Sequence, residues 1–353
     1  MDEILLKNYL LPFFGAFLIS IMATFFVRKL ALKLKVIDAP SEPRKIHSQA
    51  VPLLGGLAVY LAFVALLAVF YQAGFIADGR IGFSQIIGIV IGGGLLMIGG
   101  YFDDKYNLKP VLQLIWPVLA ALMIVFSGFT IGYVSNPLGG LIYLGSGLIS
   151  PLIIFFWLLG MMYTTKFLDG LDGLVSGIAA IGFIILFLVS LFWDVPLSGT
   201  SILCLLLAGS SLGFLIWNFH PAKIFLGEGG SLFLGFMLGV LAIISGAKIA
   251  TTLLIMGIPI LDVIWVIIRR TFKEKKPAFL GDAKHLHFRL IDAGLNHRQA
   301  VLLLYLLTAV FGSLAIFQQT VGKLVTLGIL LVVMVMLGWW VVSRYRGIKK
   351  GTS

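Results

Sequence analysis

Long apolar runs separated by short polar clusters set the rhythm of this chain. A helix needs about 20 apolar residues to cross the hydrocarbon core of a bilayer. Runs of that kind recur at roughly 9–30, 53–74, 84–102, 110–127, 150–165, 174–192, 199–217, 231–247, 249–268, 299–318 and 322–342. The pattern predicts an all-α polytopic membrane protein of about eleven transmembrane helices, with ten as the lower count; the fifth and eighth runs are short. Residues 129–150, rich in glycine with β-formers around Asn136-Pro137, are too polar for a span and predict an extracytoplasmic loop or hairpin. The run 9–30 has no small-residue cleavage site after it and reads as a first helix rather than a signal peptide. Neither a soluble domain nor an internal repeat is legible, so 1–353 is expected to be one integral membrane domain.

Charge then orients the spans. Of the 26 Lys and Arg residues, all but Lys7, Arg80, Lys248 and Lys323, that is 26 less 4 or 22, fall after odd-numbered runs or in the C-terminal tail. Lys and Arg accumulate in cytoplasmic loops, so the N-terminus is expected outside and the C-terminus inside, in the cytoplasmic (inner) membrane. The net charge of +11 is mostly this asymmetry; it suits an anionic leaflet or a phosphorylated substrate rather than nucleic acid. With 60% hydrophobic and 12% charged residues the composition excludes a soluble globular protein. The single cysteine, Cys204, lies within an apolar run, which excludes a disulfide framework and a thiolate metal cluster.

The same parity places every polar cluster with chemical potential on the cytoplasmic side: RKIHSQAVPLLGG (44–56), GGYFDDKYNLKP (99–110), KFLDGLDGL (166–174), NFHPAKIFLGEGGS (218–231) and GDAKHLHFRL (281–290). Asp103 and Asp104 adjoin a span, where a carboxylate is costly, and adjacent like charges call for a cation. Alone, the pair reads at least as well as a solvated loop. Asp169 and Asp172 are three apart and share a face if their segment is helical; a helix cap followed by a loop is the plain alternative. Residues 227–231, GEGGS, form a glycine-rich turn whose N–H groups could cradle a phosphate at a helix start, and Glu228 adds a carboxylate. His285 and His287, two apart, diverge on any regular element and so make poor partners for one metal; with Arg289 they are better placed as donors to a diphosphate. Together these clusters describe phosphoryl chemistry between a soluble diphosphate and a lipid phosphate, with carboxylates for a hard divalent cation.

The ordered motifs RKIH…PLLGG, GYFDDKYNLKP with Gln113, FLDGLDGL, N…PAKIFLGEGGS with Gly235, PILD at 259–262 and HLHFRL…GLNHRQAV span most of the chain. They resemble the polyprenyl-phosphate N-acetylhexosamine-1-phosphate transferase family (glycosyltransferase family 4). The resemblance implies transfer of a sugar 1-phosphate from a UDP-HexNAc to undecaprenyl phosphate with release of UMP, dependent on Mg2+ or alternatively Mn2+, at the cytoplasmic face; a homodimer is the family's expectation. The loop HLHFRLIDAGLNHRQAV lacks the three consecutive histidines of the muramoyl-pentapeptide branch and looks like the branch that uses UDP-GlcNAc to start teichoic acid, lipopolysaccharide or other surface glycans. Phospho-N-acetylmuramoyl-pentapeptide transfer is the alternative within the family.

By the same resemblance Asp103, Asp104, Asp169 and Asp172 are assigned to catalysis, and Asp104 and Glu228 to the metal. Arg44, Lys45 and His47 are expected to hold the lipid phosphate, and Lys166, Asn218, His285, His287 and Arg289 to bind substrate. Several positions depart from the family pattern: Lys166 stands where Asn is usual, Glu228 where Asp is usual, Phe288 at the third histidine, and Tyr163 where another Asn is common. A cation replacing a neutral ligand, opposite a carboxylate one methylene longer, predicts a Lys166–Glu228 ion pair. From a different class, a secondary transporter would need ionisable groups near the bilayer midplane; Asp262, in GIPILDVIW, is the best candidate for one.

Overall fold

A computed structural model describes residues 6–39, 50–76, 81–136, 140–145, 147–193, 198–244, 249–275 and 285–351. Arg44, Lys45 and His47 lie outside the described residues. After a π-helical turn at Leu6–Leu10 come α1 (Leu11–Leu34), β1 (Ile37–Asp38), β2 (Val51–Pro52), α2 (Gly55–Gln72), α3 (Phe83–Tyr106) and α4 (Pro110–Phe126). The chain continues through β3 (Tyr133–Ser135), β4 (Leu141–Tyr143), α5 (Ile149–Leu168), α6 (Leu174–Trp193), α7 (Gly199–Asn218) and α8 (Gly227–Ile244). It ends with α9 (Ile249–Ile255), α10 (Gly257–Ile268), a π-helical stretch at Arg269–Glu274, α11 (Leu286–Asp292), α12 (His297–Leu314) and α13 (Thr320–Gly351). β1 pairs antiparallel with β2 and β3 with β4, each as a two-stranded ribbon. The interrupted stretch after α4 thus contains a hairpin.

Each of the eleven apolar runs is helical over most of its described residues, and the chain is a predominantly helical polytopic membrane protein. Among the described residues, nine helices have the length and apolarity to cross a membrane. A tenth span results if α9 and α10, bent by 76° about Met256, count as one, while α4 has 17 residues and is shorter. The run 249–268 is therefore broken where the hydropathy pattern is continuous. α8 also starts four residues before the predicted 231, so the GEGGS glycines lie within its first turn rather than ahead of it.

Burial locates the centre of the molecule. In α8 94% of the residues are buried, against 28% and 17% in the most apolar 18-residue stretches of Leu6–Leu34 and Thr320–Tyr345, which present residues such as Phe14, Met22, Phe26, Val335 and Trp339 outward. An apolar exterior of this kind is what lipid stabilises, because the hydrocarbon phase solvates such side chains without the penalty of water. α8 reaches its neighbours through glycine: a Cβ on Gly100 of α3 would collide with the Gly229 backbone, and one on Gly56 of α2 with the Gly230 backbone. Such close helix approach requires residues without side chains. It brings the cytoplasm-predicted end of α3 against the start of α8.

Candidate functional site

Asp103 and Asp104 occupy the last turn of α3, which ends where Asn107 turns left-handed at φ 49° and its N–H reaches the Asp103 carbonyl at 2.8 Å. A four-helix circuit then closes around them. The Asp103 carboxylate accepts from Leu108 N at 3.0 Å and from Gln113 Nε2 of α4 at 2.9 Å. Gln113 Oε1 accepts from Lys166 Nζ of α5 at 2.9 Å, and Lys166 is ion-paired with Glu228 of α8. Glu228 N donates to both oxygens of Asp104, at 3.1 and 3.3 Å, which returns the circuit to α3. The ion pair foreseen from the paired departures at 166 and 228 is present.

Asp104 thereby caps the N-terminus of α8, where a carboxylate gains from the helix dipole and an otherwise unpaired N–H. The phosphate-cradle reading of GEGGS is corrected on two counts. The helix start is occupied by this carboxylate, and Gly229 and Gly230 serve close packing on α3 and α2.

The helical reading of DGLDGL is also corrected, since α5 stops at Leu168 and α6 starts at Leu174. Gly173, at φ +78°, makes the turn between them, and its carbonyl accepts from the Tyr305 hydroxyl. The two aspartates consequently diverge. Asp169 joins the acidic group: it is accessible from outside but crowded by protein on its other sides. Lost hydration, then the charges of Glu228 and Asp172, push its carboxyl up to about 7. Asp172 turns to the α7–α8 loop, where its Oδ2 meets His220 Nδ1 at 2.7 Å and accepts from Ala222 N at 3.1 Å.

Asn218 is buried, with Nδ2 donating to the Ile224 carbonyl at 3.0 Å and Oδ1 accepting from Ser176 Oγ at 2.8 Å. Its amide braces the 219–226 loop. His285 binds Asp262 Oδ2 through Nδ1 at 2.8 Å, while Leu286 N donates to Asp262 Oδ1 at 2.9 Å. Asp262, the residue best suited to a transport path, is thus tied to the start of α11. His287 stacks beside His285 with ring centroids 5.7 Å apart and fills the space that a side chain on Gly170 would need. Burial, together with His285 and His297, lowers its ring to about 3, which keeps it neutral. Arg289 lies in α11, half-buried.

Three participants escaped the sequence reading: Gln113 as the link between Asp103 and Lys166, and His220 and His297, whose rings stack with centroids 4.1 Å apart. The signal for the histidines was their place in quoted motifs, His220 two residues after Asn218 in the 218–231 cluster and His297 in GLNHRQAV.

A groove of about 350 Å³ runs from between α1, α2 and α3 to the start of α8, lined by residues such as Leu30, Leu57, Ile98, Phe102 and Leu226, with Asp104 at its polar end. Its size falls in the range of ligand sites.

The sequence model of glycosyl transferase family 4 matches residues 86–246. Over 352 residues the chain is 32% identical to the probable undecaprenyl-phosphate N-acetylglucosaminyl 1-phosphate transferase of Bacillus subtilis, covering 95% of this chain and 91% of that protein. It is 32% identical over 345 residues to the decaprenyl-phosphate N-acetylglucosaminephosphotransferase of Mycolicibacterium smegmatis, covering 90% and 84%. The undecaprenyl-phosphate alpha-N-acetylglucosaminyl 1-phosphate transferase of Escherichia coli K12 is 27% identical over 350 residues, with 93% and 91% covered.

Proposed function

Because the chain belongs to glycosyl transferase family 4, with relatives matched over nearly their whole length, we propose that it transfers N-acetylglucosamine 1-phosphate from UDP-GlcNAc to a polyprenyl phosphate, undecaprenyl phosphate in the first instance, and releases UMP. The observation that carries this reading is the apolar groove ending at Asp104, in the carboxylate circuit. A groove lined by alkyl and aromatic groups accommodates an isoprenoid chain by burial, and brings a phosphate at its head to the acidic cluster.

The donor set fits a hard divalent cation. Asp103, Asp104, Asp169 and Glu228 offer oxygen ligands, and Lys166 neutralises one of the four. Asp104 and Glu228 would hold Mg2+ with substrate phosphates completing its shell, and the ion would supply charge neutralisation at the diphosphate. The chain's own groups do the rest. Lys166, fixed by Glu228 and Gln113, presents a positioned ammonium beside the cluster. Asp103, held by Leu108 N and Gln113, orients the incoming lipid phosphate. An oxygen of that phosphate attacks the β-phosphorus, the bond to the UMP oxygen breaks, and the electron pair leaves on UMP. A phosphate monoester with a second pKa near ~6 is already mostly dianionic at pH 7, so positioning outweighs proton removal. Arg44, Lys45, His47 and Arg289 supply further cationic or hydrogen-bonding groups to the two phosphates. The Lys and Arg distribution supports an outside N-terminus, with this site and the C-terminus in the cytoplasm.

The test is transfer of label from β-32P UDP-GlcNAc to undecaprenyl phosphate in detergent, with Mg2+ and with EDTA. Lipid-linked label that needs the metal and is lost in Asp103→Asn is expected. Absence of product from UDP-GlcNAc and every other UDP-HexNAc, with protein that is monodisperse and folded, would overturn the reading.

A further inference from the structure

The groove that ends at Asp104 leads to a lysine that the carboxylate circuit does not use. Met97 and Tyr101 of α3 line the groove. Residues four apart share a helix face, so Lys105 takes the next position in that row and directly follows Asp104. Its Nζ reaches back one turn to donate to the Tyr101 hydroxyl at 2.9 Å, and stands 5.3 and 5.5 Å from the ring centroids of Tyr101 and Tyr106. We propose that Lys105, positioned by Tyr101, binds the phosphate head of the polyprenyl substrate at the mouth of the groove. The proposal rests on the transferase reading and deepens it at one end of one substrate.

Two observations set this lysine apart from an ordinary loop cation. A lysine at the end of a span usually carries its ammonium outward to water, whereas this one turns back toward the span and is half-buried. Among the described residues its partners are a hydroxyl and two aromatic faces, and no carboxylate pairs with it. Lys166, by contrast, is committed to Glu228 and Gln113.

Charge supplies the need for such a cation. A phosphate monoester that follows its chain along the groove arrives mostly as a dianion and meets like charge at the polar end, where Asp104 is crowded by Glu228, Asp103 and Asp169. An ammonium carries three donors. The Tyr101 hydroxyl takes one of them, which leaves two for phosphate oxygens in charge-assisted hydrogen bonds. That hydroxyl accepts from Lys105, so its own O–H is oriented to donate to the same phosphate. The pair thus offers a lipid phosphate what the acidic cluster withholds, at the boundary between the alkyl-lined groove and the carboxylates.

The experiment measures steady-state transfer by full-length protein in detergent, varying undecaprenyl phosphate and UDP-GlcNAc in turn, with the thermal midpoint of each variant. Lys105→Met is expected to raise the KM for undecaprenyl phosphate by about 10-fold or more, with the KM for UDP-GlcNAc and the thermal midpoint unchanged. Lys105→Arg should restore most of the affinity. Tyr101→Phe, which keeps the ring and removes the hydroxyl, should give a smaller rise in the same KM. Lys105→Gln repeats the test should the methionine variant be unstable. A second arm needs no transfer: without donor, the concentration of undecaprenyl phosphate that half-saturates thermal stabilisation should rise in Lys105→Met by the same factor. That of undecaprenol, which lacks the phosphate, should not. An unchanged lipid KM, a rise confined to the KM for UDP-GlcNAc, or equal weakening of undecaprenyl phosphate and undecaprenol overturns the proposal. Wild type that binds undecaprenyl phosphate through Lys105 yet transfers nothing would sink the transferase reading and leave this one standing.

Discussion

Lys166 shows how a single residue can be read from sequence and completed by structure. A lysine and a glutamate, each departing from the common family pattern, implied an ion pair, and the pair exists. What spacing did not disclose is Gln113, which binds that lysine across 53 positions of chain and holds Asp103 ten positions before it. A neutral amide carries no charge pattern to betray its partner. Lys166→Met should leave Glu228 without its counter-charge. With the pair mostly but not fully buried, at 18% and 15% exposure, we expect a loss of about 1–3 kcal/mol, below the range for fully buried pairs. Thermal unfolding in detergent would check this, and the double variant Lys166→Asn/Glu228→Asp should recover part of the loss. His287 supplies a pH test. Its ring is held near 3 in the folded state, against 6.5 when exposed, so the unfolded chain binds the extra proton. The stability tied to its neutrality is complete above about 6.5 and is lost as pH falls toward 3, by up to about 1.4 kcal/mol per unit. His287→Gln should show a shallower acid slope in urea titrations at pH 5 to 7; an unchanged slope would contradict the assignment.

At the scale of elements, hydropathy located the helices, while their ends and breaks came from contacts. The 249–268 run is apolar enough to read as one span, yet it bends by 76° at Met256, just before Gly257 and Pro259. Nothing in its periodicity marks the site, because either arrangement buries apolar groups. DGLDGL was legible as functional but not as a turn. Its non-helical path sends Asp169 toward Glu228 and Asp172 toward His220, so two residues alike in sequence acquire different partners. The glycines at the start of α8 invited a phosphate reading, since glycine serves both ligand approach and helix approach. Here it serves the latter. Gly100→Ala would place a Cβ into the Gly229 backbone, which has no flexible end to move. Overpacking of this kind costs about 1–3 kcal/mol, and displacement of α8 would also move Glu228. We expect a lowered thermal midpoint together with a lowered kcat, and a variant indistinguishable from wild type would show that the two helices can separate freely.

For the molecule as a whole, the charge asymmetry makes a topological prediction. The lone native thiol, Cys204, is fully buried in α7, so introduced cysteines can be followed against a quiet background. In intact cells an impermeant maleimide should label Tyr143→Cys, exposed on β4, and should reach Asn107→Cys, at the end of α3, only after the membrane is opened. The reverse pattern would invert the orientation. Sequence alone determined that the chain is membrane-embedded and helical, which residues carry charge at the ends of spans, and the class of chemistry they suit. Those properties are local: about 20 consecutive residues settle whether a segment prefers lipid, and a carboxylate beside a span is costly wherever the span lies. Tertiary structure alone decided that Asp104 caps α8, that Gln113 links Asp103 to Lys166, that His285 secures Asp262, and that Asp172 faces two histidines. Each is a pairing between segments distant in sequence. Such a pairing depends on how closely particular helices approach, which is set by packing rather than by composition.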